Sequence, residues 1–270
     1  MSSFQRIVIA ISKIKVADIN LHVLHDGQGL PVVFIHGWAA SHRFWKYQIP
    51  HFKRNYQVVT YDLRGHGESD KPSKGYTVNE QTQDLELLLE GLNIENPVLV
   101  GHSLGGMIAL EYALKAPNNL RALVIVGASA HPVASRRRSF QFTLLSWLIR
   151  MSRTRASKYT QKEIFAPNVD PELVDWVNTE SLRTPTHVIL QILKSVKKFD
   201  VMNRLQEIKV PTALVKGEYD TVVESSDLRE MQERLPDAKQ FIIDNAGHNC
   251  MLEQPSLFNP KLEHFLQNVN

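Results

Sequence analysis

A single cysteine, Cys250, has no partner for an intrachain disulfide, so no disulfide framework can hold this chain together. No run reaches the roughly 18 consecutive apolar residues that a membrane-spanning helix needs. The stretch most like a leader is Ile7-Val-Ile-Ala-Ile11 behind Arg6. It is shorter than the roughly 7–15 residues of a signal core and no small-residue cleavage site follows, so it reads as an edge strand. These features predict a chain in a reducing, cytoplasmic setting, with no stable insertion into a membrane. A net charge of +3 over 270 residues gives no general basis for binding nucleic acid. Internal repeats and low-complexity segments are missing as well.

The small net charge hides an imbalance. Between residues 128 and 165 eight Lys and Arg stand against one acid, Glu163, so this stretch carries +7 and the rest of the chain −4. Apolar residues make up 43% and charged residues 22%, the proportions of a globular domain with a sizeable core.

Short β-branched runs alternate with helical patterns. Strands are expected at 4–11, 15–24, 31–35, 57–61, 97–101, 122–127, 212–216 and 240–243, several of them nearly continuous in Val, Ile and Leu. Such runs suit strands buried on both faces. Helices are expected at 42–52, 78–92, 104–115, 224–234 and 257–269. The alternation implies an α/β fold: a mostly parallel eight-stranded sheet with helices on both faces. It breaks over 128–205, which has no clear strand and reads as a helical insertion, a cap, between core segments 1–127 and 206–270.

The stretch Val98-Leu-Val-Gly-His-Ser103-Leu-Gly-Gly106 places a serine where a strand turns into a helix. A hydroxyl needs a base to become a nucleophile and two N–H donors to hold the oxyanion it creates. Glycines two residues either side of Ser103 permit the tight turn that presents it, and the helix behind brings its positive end to the site. Leu104 supplies one N–H. The loop after Val32-Val-Phe-Ile-His-Gly-Trp38 can supply the second from Trp38. Among eleven histidines, His248 follows a strand and Gly247 and lies downstream of everything else, as the order serine, acid, histidine requires. The acid is expected in Gly217-Glu-Tyr-Asp220, with Glu218 and Glu224 as competitors; the loop after Gly127 offers only Ala128 and Ser129. His22 and His25 sit in a strand-like stretch with no further ligands nearby in sequence, so no metal site is expected there.

Taken together, His36-Gly37-Trp38, Asp62-Leu-Arg-Gly-His-Gly-Glu-Ser69, Gly101-His-Ser-Leu-Gly-Gly106, Gly217-Glu-Tyr-Asp220 and Gly247-His-Asn-Cys-Met-Leu-Glu-Gln-Pro255 occur in a telling order. The chain resembles the α/β-hydrolase-fold superfamily, in its esterase- and lipase-like branch. The resemblance implies a Ser103–Asp220–His248 triad, an oxyanion hole from Trp38 and Leu104, and a cap at 128–205. It makes Asp62–Ser69 a structural loop rather than a catalytic one. A serine nucleophile argues against haloalkane dehalogenases and epoxide hydrolases, which use aspartate there. His102 departs from the asparagine usual in carbon–carbon bond hydrolases.

The expected activity is therefore a carboxylesterase acting on small to medium acyl esters, with no metal or organic cofactor. Lactonase, monoacylglycerol lipase, cofactor-free perhydrolase or haloperoxidase and C–C bond hydrolase activities are the alternatives. A non-catalytic ligand-binding member of the fold is the alternative of a different class. Substrate contacts are expected from Trp38 and, in the cap stretch Ser139–Ser152, from Phe140, Leu144 and Trp147. That stretch is apolar around most of its circumference. It reads as a helix buried between cap and core, or else as a lid or weak interfacial surface beside Arg136–Arg138. Oligomeric state leaves no sequence signal.

Overall fold

The structure, a computed structural model, describes residues 10–235 and 237–269. Eight strands form one sheet: β1 Ala10–Val16, β2 Ile19–Asp26, β3 Pro31–Ile35, β4 Gln57–Tyr61, β5 Val98–His102, β6 Ala122–Val126, β7 Thr212–Gly217 and β8 Lys239–Ile243. Their spatial order is β1-β2-β4-β3-β5-β6-β7-β8. Pairings β1–β2 and β2–β4 are antiparallel and the other five are parallel.

Around the sheet lie α1 Ile49–Phe52, α2 Val78–Gly91, α3 Leu104–Lys115, α8 Ser225–Arg234, α9 Cys250–Glu253 and α10 Pro255–Gln267. Between β6 and β7 the chain forms α4 Arg136–Met151, α5 Arg153–Ile164, α6 Pro171–Leu182 and α7 Thr186–Val196. Two 3₁₀ turns, His42–Trp45 and Met202–Glu207, complete the elements.

Period-two alternation sends each inner strand's side chains to two separate cores. Val33 and Ile35, Leu99, and Leu123 and Ile125 join α2 and α3 in one core. Val32 and Phe34, Val98 and Val100, and Val124 and Val126 join α10 in the other. Local signals start the helices. Thr77 and Glu80 form a reciprocal capping box at α2, with Glu80 N–H on Thr77 Oγ1 at 3.1 Å and Thr77 N–H on Glu80 Oε2 at 2.9 Å. Ser135 caps α4, and Asp170 with Pro171 opens α6.

Three expectations change. The run 15–24 is not one strand: Val16 pairs with Ile19 across a two-residue turn, and Ala17 takes φ +47° to make it. The first strand expected at 4–11 becomes β1 from Ala10 onward, and residues 4–9 lie outside the described residues. Likewise 42–52 is not one helix but a 3₁₀ turn and the short α1, whose restart carries Pro50 near its N-terminus.

Candidate active site

β5 is a central strand, flanked by β3 and β6, and its carboxyl end is where the strand order reverses, the place open α/β sheets use for ligands. Ser103 follows it directly with φ +53° and ψ −114°, backbone angles that a non-glycine residue adopts only under constraint. Its N–H donates to Val126 O at 2.9 Å, and its carbonyl accepts from Gly106 N–H at 3.0 Å. The turn is this tight because β5 and α3 nearly touch. A Cβ on Gly101 would lie 2.3 Å from Gly105 O. Ser103 is the N-cap of α3 and half-buried, and Leu104 is the first helical residue, where N–H groups have no partner inside the helix.

His248 comes off the loop after β8, its N–H on Ile164 O at 3.0 Å. Nδ1 lies 3.0 Å from Asp220 Oδ2, and both residues are buried. The other Asp220 oxygen accepts from Val222 and Val223 N–H at 2.9 and 3.0 Å. Lys216 Nζ pins that loop by donating to Asp220 O and Val223 O at 2.6 and 2.9 Å. Burial by itself would raise the Asp220 pKa; the His248 ring beside it and the loop N–H outweigh this and hold the carboxyl below its ordinary value. The competing acids point elsewhere. Glu218 accepts from Asn245 N–H at 3.0 Å, and Glu224 caps α8.

Several residues hold this arrangement and left little trace in the sequence reading. Glu253 reaches back to accept from Ala166 and Gly247 N–H, both at 2.9 Å, and from Asn249 N–H at 3.1 Å, so it brackets His248. His102 donates from Nε2 to His248 O at 3.0 Å; burial lowers its pKa to about 3, which keeps the ring neutral. Gly127 takes φ +53°, and a Cβ there would stand 3.1 Å from His248 Nδ1.

The block Asp62–Ser69 secures the loop that carries Trp38. His66 Nε2 accepts from Ala39 N–H at 3.2 Å, and His36 Nε2 accepts from Leu63 N–H at 2.9 Å. Burial lowers His36 to about 4 and His66 to about 3, so both rings are neutral acceptors. Asp62 Oδ1 accepts from His42 N–H and Nδ1–H at 2.7 and 2.8 Å, and Oδ2 from Glu68 N–H at 2.8 Å. His22 Nδ1 stands 3.3 Å from Asp62 as well. The expectation that no possible ligands surround His22 is therefore corrected: tertiary folding brings His22, His42 and Asp62 within 4.8 Å of one another. None of the three lines the cavity described next, and Asp62 already serves the loops as a hydrogen-bond hub.

A cavity of about 270 Å³ opens on Ser103 and His248, with Trp38 and Leu104 in its wall. The insertion between β6 and β7 roofs it. Phe142, Leu145 and Ile149 of α4 face Ile189 and Leu193 of α7, and this apolar wall adjoins Arg153, Ser157 and Asn178. Of the substrate contacts expected from the sequence, Trp38 is in the wall. Phe140, Leu144 and Trp147 are not among the lining residues, and Phe140 and Trp147 are 68% and 53% exposed. The helical phase of α4 explains it: 142, 145 and 149 share the inner face.

A family model described as the α/β hydrolase fold matches residues 31–255. The chain belongs to this family. Its relatives include the AB hydrolase superfamily protein YisY of Bacillus subtilis (strain 168), 26% identical over 92% of this chain and 95% of that one. The putative carbamate hydrolase RutD of Azorhizobium caulinodans is 27% identical over 94% and 97%. Among solved structures, an esterase from Exiguobacterium antarcticum superposes with a TM-score of 0.86 at 26% identity, covering 92% and 96% of the two chains. A bromoperoxidase from Bacillus anthracis gives 0.88 at 26%, covering 96% and 100%. Among the described residues of this family member, no helix is long and apolar enough to cross a membrane.

Proposed function

We propose that this α/β hydrolase is a carboxylesterase that cleaves small to medium acyl esters by way of a Ser103 acyl-enzyme. The observation that carries the reading is the buried His248–Asp220 hydrogen bond beside a serine held at φ +53°, at the floor of an apolar cavity. His248 Nε2 takes the Ser103 hydroxyl proton as Oγ attacks the ester carbonyl carbon. Asp220 accepts from Nδ1–H, which fixes the tautomer and stabilises the imidazolium. The N–H groups of Trp38 and Leu104 hold the oxyanion. Collapse breaks the ester C–O bond, and the alcohol leaves with the proton from His248. Water then gives its proton to His248, attacks the acyl carbon and releases the acid, which returns Ser103 to its hydroxyl form. These steps call for no cofactor.

In this reading residues 128–205 act as a cap over a core made of 1–127 and 206–270, and the apolar wall of α4 and α7 takes the acyl chain. The carbamate hydrolase among the relatives favours a second substrate class, carbamates, whose carbonyl is open to the same attack. A panel of p-nitrophenyl esters from acetyl to palmitoyl, with lactones and carbamates added and Ser103→Ala as the blank, tests the proposal. Turnover of short esters that vanishes in the blank is the expected result. Equal turnover in the blank, or no turnover by wild type together with no labelling by a fluorophosphonate, overturns it.

A further inference from the structure

Helix α4 has two apolar stripes, and only one of them faces the cavity. At 3.6 residues per turn, Phe140, Leu144, Trp147 and Met151 fall within about 60° of one another around the axis. Phe142, Leu145 and Ile149, the cavity residues, fall on roughly the opposite side. The outer stripe is open to solvent: Phe140, Trp147 and Met151 are 68%, 53% and 60% exposed and Leu144 is half-buried. A soluble surface tolerates scattered apolar side chains, but an unbroken line of Phe, Leu, Trp and Met along about three turns has the character of a docking surface.

Charge identifies what docks. The exposed side chains of Arg137 and Arg150 flank the stripe on α4, and Arg155 and Lys158 are exposed on α5, the next helix in the chain. Lys197, just past α7, donates to Thr143 on the same side of α4 at 3.0 Å. Acids are nearly missing from the helices packed here. Across α4, α5 and α7 the one acid is Glu163, which lines the cavity, as Arg137 also does. The two further arginines of this stretch with described side chains are engaged inward. Arg138 pairs with both oxygens of Asp227 at 2.8 and 2.7 Å, and Arg153 donates to Ser181 and Thr184 carbonyls. Glu163 acts electrostatically on Arg137, and Glu224 stands 3.5 Å from Arg138. Among the described residues no acid forms an ion pair with Arg150, Arg155, Lys158 or Lys197, so the exposed rim is cationic on balance.

We infer that the outer face of α4 is a docking surface for a lipid bilayer bearing anionic headgroups. An apolar stripe that includes an aromatic, framed by Lys and Arg, is the pattern of a helix that lies in a bilayer interface. A second copy of this chain fits poorly, because a two-fold contact through this face would set one cationic rim against another. Docking here would bring the bilayer against the helix whose other side forms the cavity wall. The inference stands on the surface alone and does not depend on Ser103 acting as a nucleophile.

Vesicle sedimentation tests it, with the full chain, phosphatidylcholine vesicles, and phosphatidylcholine vesicles mixed with phosphatidylglycerol. Wild type is expected to sediment with the anionic vesicles and to be released as salt rises. The variant Phe140→Ser/Trp147→Ser/Met151→Ser should lose at least about tenfold in partitioning, and Arg137→Gln/Arg150→Gln should lose the preference for anionic vesicles. All the substituted side chains are exposed, and an unchanged melting temperature confirms that each variant is folded. Wild type left in the supernatant with both vesicles overturns the inference, as does unchanged binding by the folded serine variant. Self-association of wild type that the serine variant abolishes, without vesicle binding, assigns the face to a second copy instead.

Discussion

His248 Nδ1 lies 3.0 Å from Asp220 Oδ2, and Gly127, between strands β6 and β7 in the sheet's loops, leaves just enough room for that pair. A carboxylate that also accepts two N–H groups from its own loop cannot swing away from the ring. The imidazole is thereby oriented before any substrate arrives, which is what a general base in an acyl transfer needs. Asp220→Asn should cut kcat by about 10⁴-fold while the fold survives, because the amide stabilises the wrong tautomer. Glu218→Gln should leave kcat within about twofold, since Glu218 serves Asn245 instead. Steady-state kinetics on a short p-nitrophenyl ester distinguish the two, and a larger loss from Glu218→Gln would reassign the acid.

Ser103→Ala and His248→Ala should each lower ester turnover by roughly 10⁴–10⁶-fold, and the double variant should be little worse than either alone. Such non-additivity is the signature of groups acting as one unit. A folded Ser103→Ala that keeps ordinary activity, or still takes up a fluorophosphonate, removes the serine from the mechanism.

Gly127→Ala probes placement without touching a titrating group. The new methyl would stand 3.1 Å from His248 Nδ1 at a backbone φ of +53°, so the residue is strained and the ring is pushed. A displacement of this kind should cost about 10²-fold in kcat. KM for a short ester should change far less than kcat, since the cavity wall formed by α4 and α7 is untouched. Equal losses in binding and turnover would mean that the cavity, rather than the base, had moved.

The residues of the candidate site stood out in the sequence because each is tied to local backbone. A serine between glycines at a strand end, a histidine after Gly247 and an acid after Gly217 each sit in a turn that sequence patterns reveal. The sheet was legible for a similar reason: strands such as Val98–His102, buried on both faces, are written as apolar runs. What escaped lacks a local signature. The turn at Ala17-Asp18 contains no Gly, Pro or Asn, so 15–24 read as one strand. Glu253 bracketing His248 and Asp62 binding two loops depend on segments meeting in space. On α4 the apolar content was visible, but an all-round apolar pattern reads as a buried helix. Here it divides into a cavity stripe and an exposed stripe, so Phe142, Leu145 and Ile149 line the wall in place of Phe140, Leu144 and Trp147.

Acid should weaken the fold through three buried histidines. His36, His66 and His102 have pKa values lowered by burial to about 4, 3 and 3, against about 6.5 when unfolded. Each is neutral in the folded state and gains a proton on unfolding once the pH drops below its unfolded value. The unfolded state then binds more protons, so stability falls as pH drops from about 6.5 toward the folded values. Urea midpoints at pH 7, 6 and 5 should decline in step, and His102→Asn should flatten part of the slope. A midpoint that stays level from pH 7 to 5 would contradict the neutral, buried assignment.

The cavity wall should set chain-length preference. Leu145 and Ile149 lie on the inner face of α4 and, like Leu193 of α7, line a space of about 270 Å³. Ile149→Trp fills part of that space, whereas Ile149→Ala enlarges it. If the acyl chain runs along this wall, each methylene buried contributes about 0.8 kcal/mol, so losing room for two methylenes costs roughly tenfold in kcat/KM. Ile149→Trp should therefore lower hexanoate and octanoate turnover by about that factor relative to acetate, while acetate itself changes little. Ile149→Ala should shift the optimum the other way, at a stability cost of about 2–4 kcal/mol from the cavity it leaves. Parallel kcat/KM profiles across acetate, butyrate, hexanoate and octanoate decide the matter. Profiles that move up or down together, with no change in slope, would put the acyl chain elsewhere in the cavity and leave this wall to the alcohol.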